Sequence, residues 1–140
     1  MPMITVQYAT PKFKADLTPQ IASAVARLNA SILKKDPNVT AINVEESSAA
    51  SWFIAGKSLI QHQLAAFWID VRVTDGTNTR EEKAAFVAAM FEAMKDLIGP
   101  LHNECYVHVD DVRGDAYGYG GLTQNERFYA GKFDVAVKAA

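Results

Sequence analysis

The chain reads as one unit written twice. Offsetting the sequence by 65 residues places Ile4 and Val6 on Ile69 and Val71, Ile21 and Val25 on Phe86 and Met90, and Ile42 and Val44 on Val107 and Val109. Trp52, Ile54 and Gly56 fall on Tyr117, Tyr119 and Gly121. Few positions are identical, but the apolar phase stays in register from end to end. A repeat of this kind limits the fold to two copies of one supersecondary unit.

Each copy reads strand, helix, strand. Met3 to Ala9 alternates, with Ile4, Val6 and Tyr8 on one face, the pattern of a half-buried strand. Leu17, Ile21, Val25, Leu28 and Ile32 then recur at spacings of three and four. That spacing predicts an amphipathic helix capped by Thr18, with Pro19 at its first position, Lys34 and Lys35 in its last turn, and Asp36-Pro37 as its stop. A strand from Val39 to Glu45 completes the first copy. The second copy has a strand over Phe67 to Thr74 and a helix from Arg80 to Ile98, with Thr79 and Glu82 as a capping box. Gly99-Pro100 stops that helix, and the last strand runs from Tyr106 to Asp111.

A strand-helix-strand unit with a long crossover requires parallel strands. Right-handed crossovers place both helices on one side. The expected fold is therefore α+β: tandem β-α-β repeats forming a four-stranded sheet with two helices on one face. The aromatic, glycine-rich stretches Trp52 to Lys57 and Tyr117 to Gly121 read as extra hairpin strands. They add little to one chain's core, and a two-layer domain leaves one sheet face bare, so oligomerisation is expected.

Bulk properties narrow the function. The 140 residues suggest a single domain over residues 1–140, with repeats at about 2–60 and 67–125. The formal net charge of −2 offers no basic excess for nucleic acid. Cys105 is the only cysteine, so neither an intramolecular disulfide nor a cysteine metal cluster is available. His62 and His102 have no ligand spacing with another His or Cys, and no metal or cofactor is expected. No apolar run approaches the roughly 18 residues that span a bilayer. The N-terminus lacks the basic-then-apolar order of a signal peptide. The expected location is cytoplasmic, with no membrane partner.

Pro2 raises a chemical question. Proline is tolerated as the first residue of a strand, where its missing N–H costs no ladder bond. Removal of Met1 would instead expose a secondary amine, a base or nucleophile that no internal residue supplies.

An N-terminal proline heading a strand, a duplicated β-α-β unit, and an aromatic-glycine hairpin after each unit together resemble the tautomerase superfamily. That group includes 4-oxalocrotonate tautomerase, the chloroacrylic acid dehalogenases, malonate semialdehyde decarboxylase and macrophage migration inhibitory factor. The resemblance covers nearly the whole chain. "AYGYGGLT" looks like the phenylalanine-glycine-hydrophobic-glycine-glycine hairpin of the short members, and "WFIAGKSL" is a looser copy. The resemblance implies a homotrimer in which Pro2 is catalytic. An α-amine has an unperturbed pKa of about 7.7–8.0, and nearby cations in a partly buried site lower it. The neutral amine then serves as a general base on carbon next to a carbonyl. The dehalogenases and the decarboxylase use a protonated proline as an acid instead, and its neighbours decide the regime.

Other positions follow from the same comparison. Arg72, in "IDVRVTDGT", is suited to a bidentate grip on a carboxylate; its plain alternative is a surface ion pair with Asp70 or Asp75. Its repeat counterpart is Gln7. The dehalogenases carry a second arginine just after a glycine loop; here the chain reads Asp75-Gly76-Thr77, which argues against a dehalogenase or a dicarboxylate substrate. Lys35 matches the lysine that faces substrate in migration inhibitory factor, although a lysine at a helix C-terminus also suits the dipole. Tyr106 and His108, in "CYVHVDD", resemble that factor's tyrosine-x-asparagine strand, which reaches a neighbouring subunit's proline. Either side chain could polarise a carbonyl oxygen, or simply pair with polar neighbours such as Asp110. Asn43, the counterpart of His108, stands where 4-oxalocrotonate tautomerase has an arginine, which again argues against a doubly charged substrate. Trp68 and the hairpin aromatics Trp52, Tyr117 and Tyr119 are candidates for pocket walls or for interface packing. Phe67 occupies the second copy's equivalent of Pro2, so each chain is expected to hold one reactive amine.

The leading expectation is a tautomerase acting on a small α-keto or enol acid, with Pro2 as general base after loss of Met1. A hydrolytic dehalogenase or decarboxylase with Pro2 as acid is the alternative on the same fold. A trimeric binding protein with an idle proline is the alternative of another class, and it takes the lead if Met1 is retained.

Overall fold

The computed structural model describes residues 2–12 and 15–139, with side chains to residue 132. Strand β1 (Met3–Ala9) enters helix α1 (Thr18–Ile32), and a 3-10 turn at Pro37–Val39 leads into β2 (Ala41–Glu46). A two-residue hairpin, β3 (Phe53–Ile54) and β4 (Lys57–Ser58), ends in the single turn α2 (Leu59–His62). The second copy runs β5 (Ala66–Thr74), α3 (Arg80–Ile98), β6 (Tyr106–Val112), then the hairpin β7 (Gly118–Tyr119) and β8 (Leu122–Thr123), and a last helix α4 (Gln124–Ala139). This is the expected α+β arrangement.

The sheet order is β2-β1-β5-β6. Each outer pair is parallel, and the central pair β1-β5 is antiparallel. The central register has a consequence for everything that follows. Thr5 lies opposite Asp70, and these two residues are each other's counterparts in the repeat. A local twofold axis therefore passes between them. Met3 lies opposite Arg72, and the axis turns that pair into Trp68 opposite Gln7. The two copies present equivalent ends of the sheet in opposite directions.

Alternation sorts the central strands. Ile4, Val6 and Tyr8 are buried with Phe67, Ile69, Val71 and Val73, while Met3, Trp68 and Arg72 are exposed. The buried face packs against Ile21, Val25 and Leu28 of α1 and Phe86, Met90, Met94 and Ile98 of α3. The helices touch each other across this core. Among the described residues, the core cluster places no helix on the opposite face of the sheet.

Helix ends differ slightly from their sequence reading. The Thr79–Glu82 capping box is formed in both directions, at 3.1 and 2.8 Å. Thr18 is not a cap. It is already helical, and the flanking residue Leu17 has no capping side chain; the Asp16 carboxylate instead accepts the Thr18 N–H at 3.0 Å. Lys34 and Lys35 lie beyond the helix, because Lys34 takes a left-handed φ of 59°. β2 begins at Ala41 rather than Val39, since Asp36 caps the 3-10 turn through the Asn38 N–H at 2.9 Å.

The hairpins repeat closely. Ala55 and Gly56 in one, Gly120 and Gly121 in the other, all have positive φ, as a two-residue turn matched to strand twist requires. Ser58 and Gln61 form a capping box that Thr123 and Glu126 repeat. After that the copies part. Gln63 turns left-handed at φ 54° and ends α2, whereas α4 continues. This helix has no counterpart in the sequence reading. Gly131 interrupts its apolar spacing, and Phe128 and Tyr129 are exposed.

Candidate active site

Pro2 is buried where β1 begins. Its carbonyl accepts the Ala41 N–H at 3.2 Å, which ties it to the start of β2. Beside it opens a cavity of about 550 Å³ lined by Met3, Arg72, Tyr117 and Tyr119 among others. Three separate stretches of sequence meet here because of topology. β5 runs antiparallel to β1, so its C-terminal end returns Arg72 to the head of β1. The second hairpin then folds over the same end.

Tyr117 links these pieces. Its hydroxyl accepts the Met3 N–H at 3.0 Å and donates to the Arg72 carbonyl at 3.4 Å. Burial raises its pKa above the ordinary phenol value, opposed by the Met3 N–H and the Arg72 charge. It is therefore a neutral hydroxyl at neutral pH. The neighbouring hairpin residue Tyr119 is held from the other side: Arg127 donates to its carbonyl at 2.9 and 3.2 Å, and the guanidinium sits 3.9 Å from its ring centroid. Between these residues, Gly118 leaves no room for a side chain. A Cβ there would lie 2.0 Å from the Leu122 carbonyl oxygen.

Arg72 is the only charged side chain among the described residues lining this opening. Among the described residues, neither Asp70 nor Asp75 forms an ion pair with it. The arrangement offers one cation and apolar walls around the Pro2 position. That suits a small planar ligand bearing one carboxylate.

The remaining candidates lie elsewhere in the chain. Lys35 donates to Thr77 Oγ1 at 2.7 Å, beside the loop that leads into α3. Burial lowers its pKa, against the opposing pull of Glu82 and Asp111. Asn43 donates to Glu45 at 3.3 Å on β2. His108 is exposed on the edge strand β6, in register with Asp70. Trp68 and Tyr106 sit at the opposite end of the sheet, with ring centroids 6.3 Å apart. Trp52 belongs to that end as well. One chain thus brings together Pro2, Arg72, Tyr117 and Tyr119, and holds the other candidates apart. No residue of this cluster was missed in the sequence. The Tyr117 hydroxyl bond to the Met3 amide had no sequence signal, since 114 residues separate the two.

By sequence, the chain matches no family model and no curated protein. By structure it is similar to Pt0534 inactivated by 2-oxo-3-pentynoate, with a TM-score of 0.76 at 16% identity over 89% of this chain and 98% of that one. A wild-type fused 4-OT symmetric trimer gives 0.73 at 18% identity, over 88% and 96%. A macrophage migration inhibitory factor-like protein from Entamoeba histolytica gives 0.70 at 15% identity, over 87% and 97%. The match extends over most of this chain and nearly all of each partner. The chain has the fold of the tautomerase superfamily.

Proposed function

We propose that the chain is a tautomerase acting on a small α-keto or enol acid, with Pro2 as its general base once Met1 is removed. The observation that carries this reading is the convergence of buried Pro2, Arg72 and the Tyr117 hydroxyl at one opening. In this reading Arg72 would hold the substrate carboxylate and disfavour a second positive charge at Pro2. The neutral amine then takes a proton from one position of the conjugated acid and returns it at another, so no proton is gained or lost overall. Met1 lies outside the described residues. With Met1 in place, the Pro2 nitrogen is an amide and has no basic lone pair.

The trimeric state reported for the fused 4-OT structures supports a homotrimer for this chain. In that assembly, Tyr106 and His108, on the free edge strand β6, would serve a neighbouring chain's Pro2 rather than their own. Lys35 and Asn43 would assist only through such an arrangement.

The test begins with the intact mass of untagged protein. Loss of one methionine, with phenylenolpyruvate ketonisation that Pro2→Ala abolishes, is the expected result. Incubation with 2-oxo-3-pentynoate, the compound that inactivated Pt0534, should add one label per chain, at Pro2. Full retention of Met1 in active protein would overturn the general-base role and favour the binding-protein reading.

A further inference from the structure

The local twofold that relates β1 to β5 also relates two cavities. At the end of the sheet away from Pro2 lies a cleft of about 830 Å³ whose lining includes Gln7, Trp52, Phe53, Trp68, Glu104 and Tyr106. These residues are the repeat counterparts of Arg72, Tyr117, Gly118, Met3, Val39 and Ala41, all of which line the Pro2 opening. The duplication has therefore copied the pocket as well as the fold. The backbone confirms the equivalence: the Leu59 N–H donates to the Trp52 carbonyl at 3.0 Å, and the Gln124 N–H donates to the Tyr117 carbonyl at 2.8 Å.

The chemistry of the two ends is opposed. The reactive position is filled by Phe67, an internal residue with no amine. The cation Arg72 is replaced by neutral Gln7. Glycine and small residues are replaced by aromatic ones. Among the described residues, Glu104 is the only carboxylate lining the cleft, and no Lys or Arg lines it. Its carboxylate accepts the Tyr106 hydroxyl. Its backbone N–H donates to His102 Nδ1 at 3.0 Å. Trp68 and Tyr106 are 49% and 58% exposed, so their rings are accessible from the cleft mouth. Aromatic faces attract cations, and a carboxylate at the same mouth adds a charge-assisted hydrogen bond.

We infer that this cleft is a second, non-catalytic binding site for a small arylalkyl ammonium: an aromatic ring against Trp52, Phe53 and Trp68, and a protonated amine on Glu104. The site selects a cation, whereas the guanidinium of Arg72 favours an anion. Its ligand contacts include neither Pro2 nor Tyr106, so it stands whether or not Tyr106 also reaches a neighbouring chain's Pro2.

Both tryptophans of the chain, Trp52 and Trp68, line this cleft, and neither lines the Pro2 opening. Intrinsic tryptophan fluorescence therefore reports on it directly. The full-length protein would be titrated with phenethylamine and, separately, with phenylacetate, which carries a ring with the opposite charge. The expected result is a saturable change with phenethylamine and at least about tenfold weaker binding of phenylacetate. In Glu104→Gln, phenethylamine should weaken about tenfold and the preference between the two compounds should vanish. Pro2→Ala should leave both titrations unchanged. No saturable change, equal binding of both compounds by the wild type, an unaltered preference in Glu104→Gln, or loss of binding in Pro2→Ala would each overturn the proposal.

Discussion

The Tyr117 hydroxyl accepts the Met3 amide proton at 3.0 Å and so reaches, from the second hairpin, the residue next to Pro2. The same hydroxyl touches the Arg72 carbonyl. One side chain thus fixes the relative position of the start of β1, beside Pro2, and the strand that carries Arg72. Tyr117→Phe keeps the ring and removes this link. A single hydrogen bond is worth a net of about 0.5–1.5 kcal/mol, so kcat for phenylenolpyruvate should fall about two- to tenfold with KM little changed. Steady-state kinetics on the variant checks this; a change confined to KM would show that Tyr117 binds rather than positions.

Arg72→Ala should separate binding from chemistry. If the guanidinium holds the substrate carboxylate before the transition state is reached, its loss raises KM more than it lowers kcat. Arg72→Lys should recover only part of the loss, because an ammonium cannot reproduce the planar two-point contact. Comparing the three proteins on one monocarboxylate substrate decides the matter.

The pH profile of a neutral-amine mechanism has a definite sign. Protonated Pro2 is inactive as a base, so kcat/KM should rise with pH and level off once the amine is free. The midpoint should fall at or below the ordinary α-amine range of about 7.7–8.0, because Arg72 disfavours a second cation. A rate that falls over that same range would mark Pro2 as an acid.

Cys105 reports on the folded state. Burial pushes its thiol up to about 11, from a reference value of 9.0. Its S–H donates to the His102 carbonyl at 3.0 Å. Native protein at pH 8 should therefore react with iodoacetamide far more slowly than protein in urea. The linkage has a sign. The folded pKa is raised, so this contribution to stability is complete below about pH 9 and is lost as pH climbs toward 11. Urea unfolding across that window should show a decline that is smaller in Cys105→Ala.

The core and the second helix start give two stability tests. Phe86 is fully buried on α3, and Phe86→Ala should cost about 3–5 kcal/mol. Thr79→Ala removes the acceptor for the Glu82 N–H and should cost about 1 kcal/mol. Chemical denaturation measures both.

Most of the fold was legible because the apolar phase survives duplication. Ile4 and Val6 announce Ile69 and Val71, and the helices between them follow by spacing. What the sequence lacked was the direction in which the copies meet. Pairing Thr5 with Asp70 rather than with a neighbour sets which ends coincide, and that choice is made by long-range packing. Pro2 and Arg72 were readable as residue types, but their meeting depends on this register. The α4 helix was hidden for a local reason, since Gly131 and the exposed Phe128 and Tyr129 blur its period.

Phe67 in place of a second terminal amine has a genetic meaning. In an assembly of identical short subunits, a codon change alters every pocket at once. Here the two ends of the sheet are encoded separately, so a substitution at Gln7, Trp52 or Glu104 reshapes one while the proline end keeps its residues. A chain that carries both copies of the unit lets its two ends be edited independently.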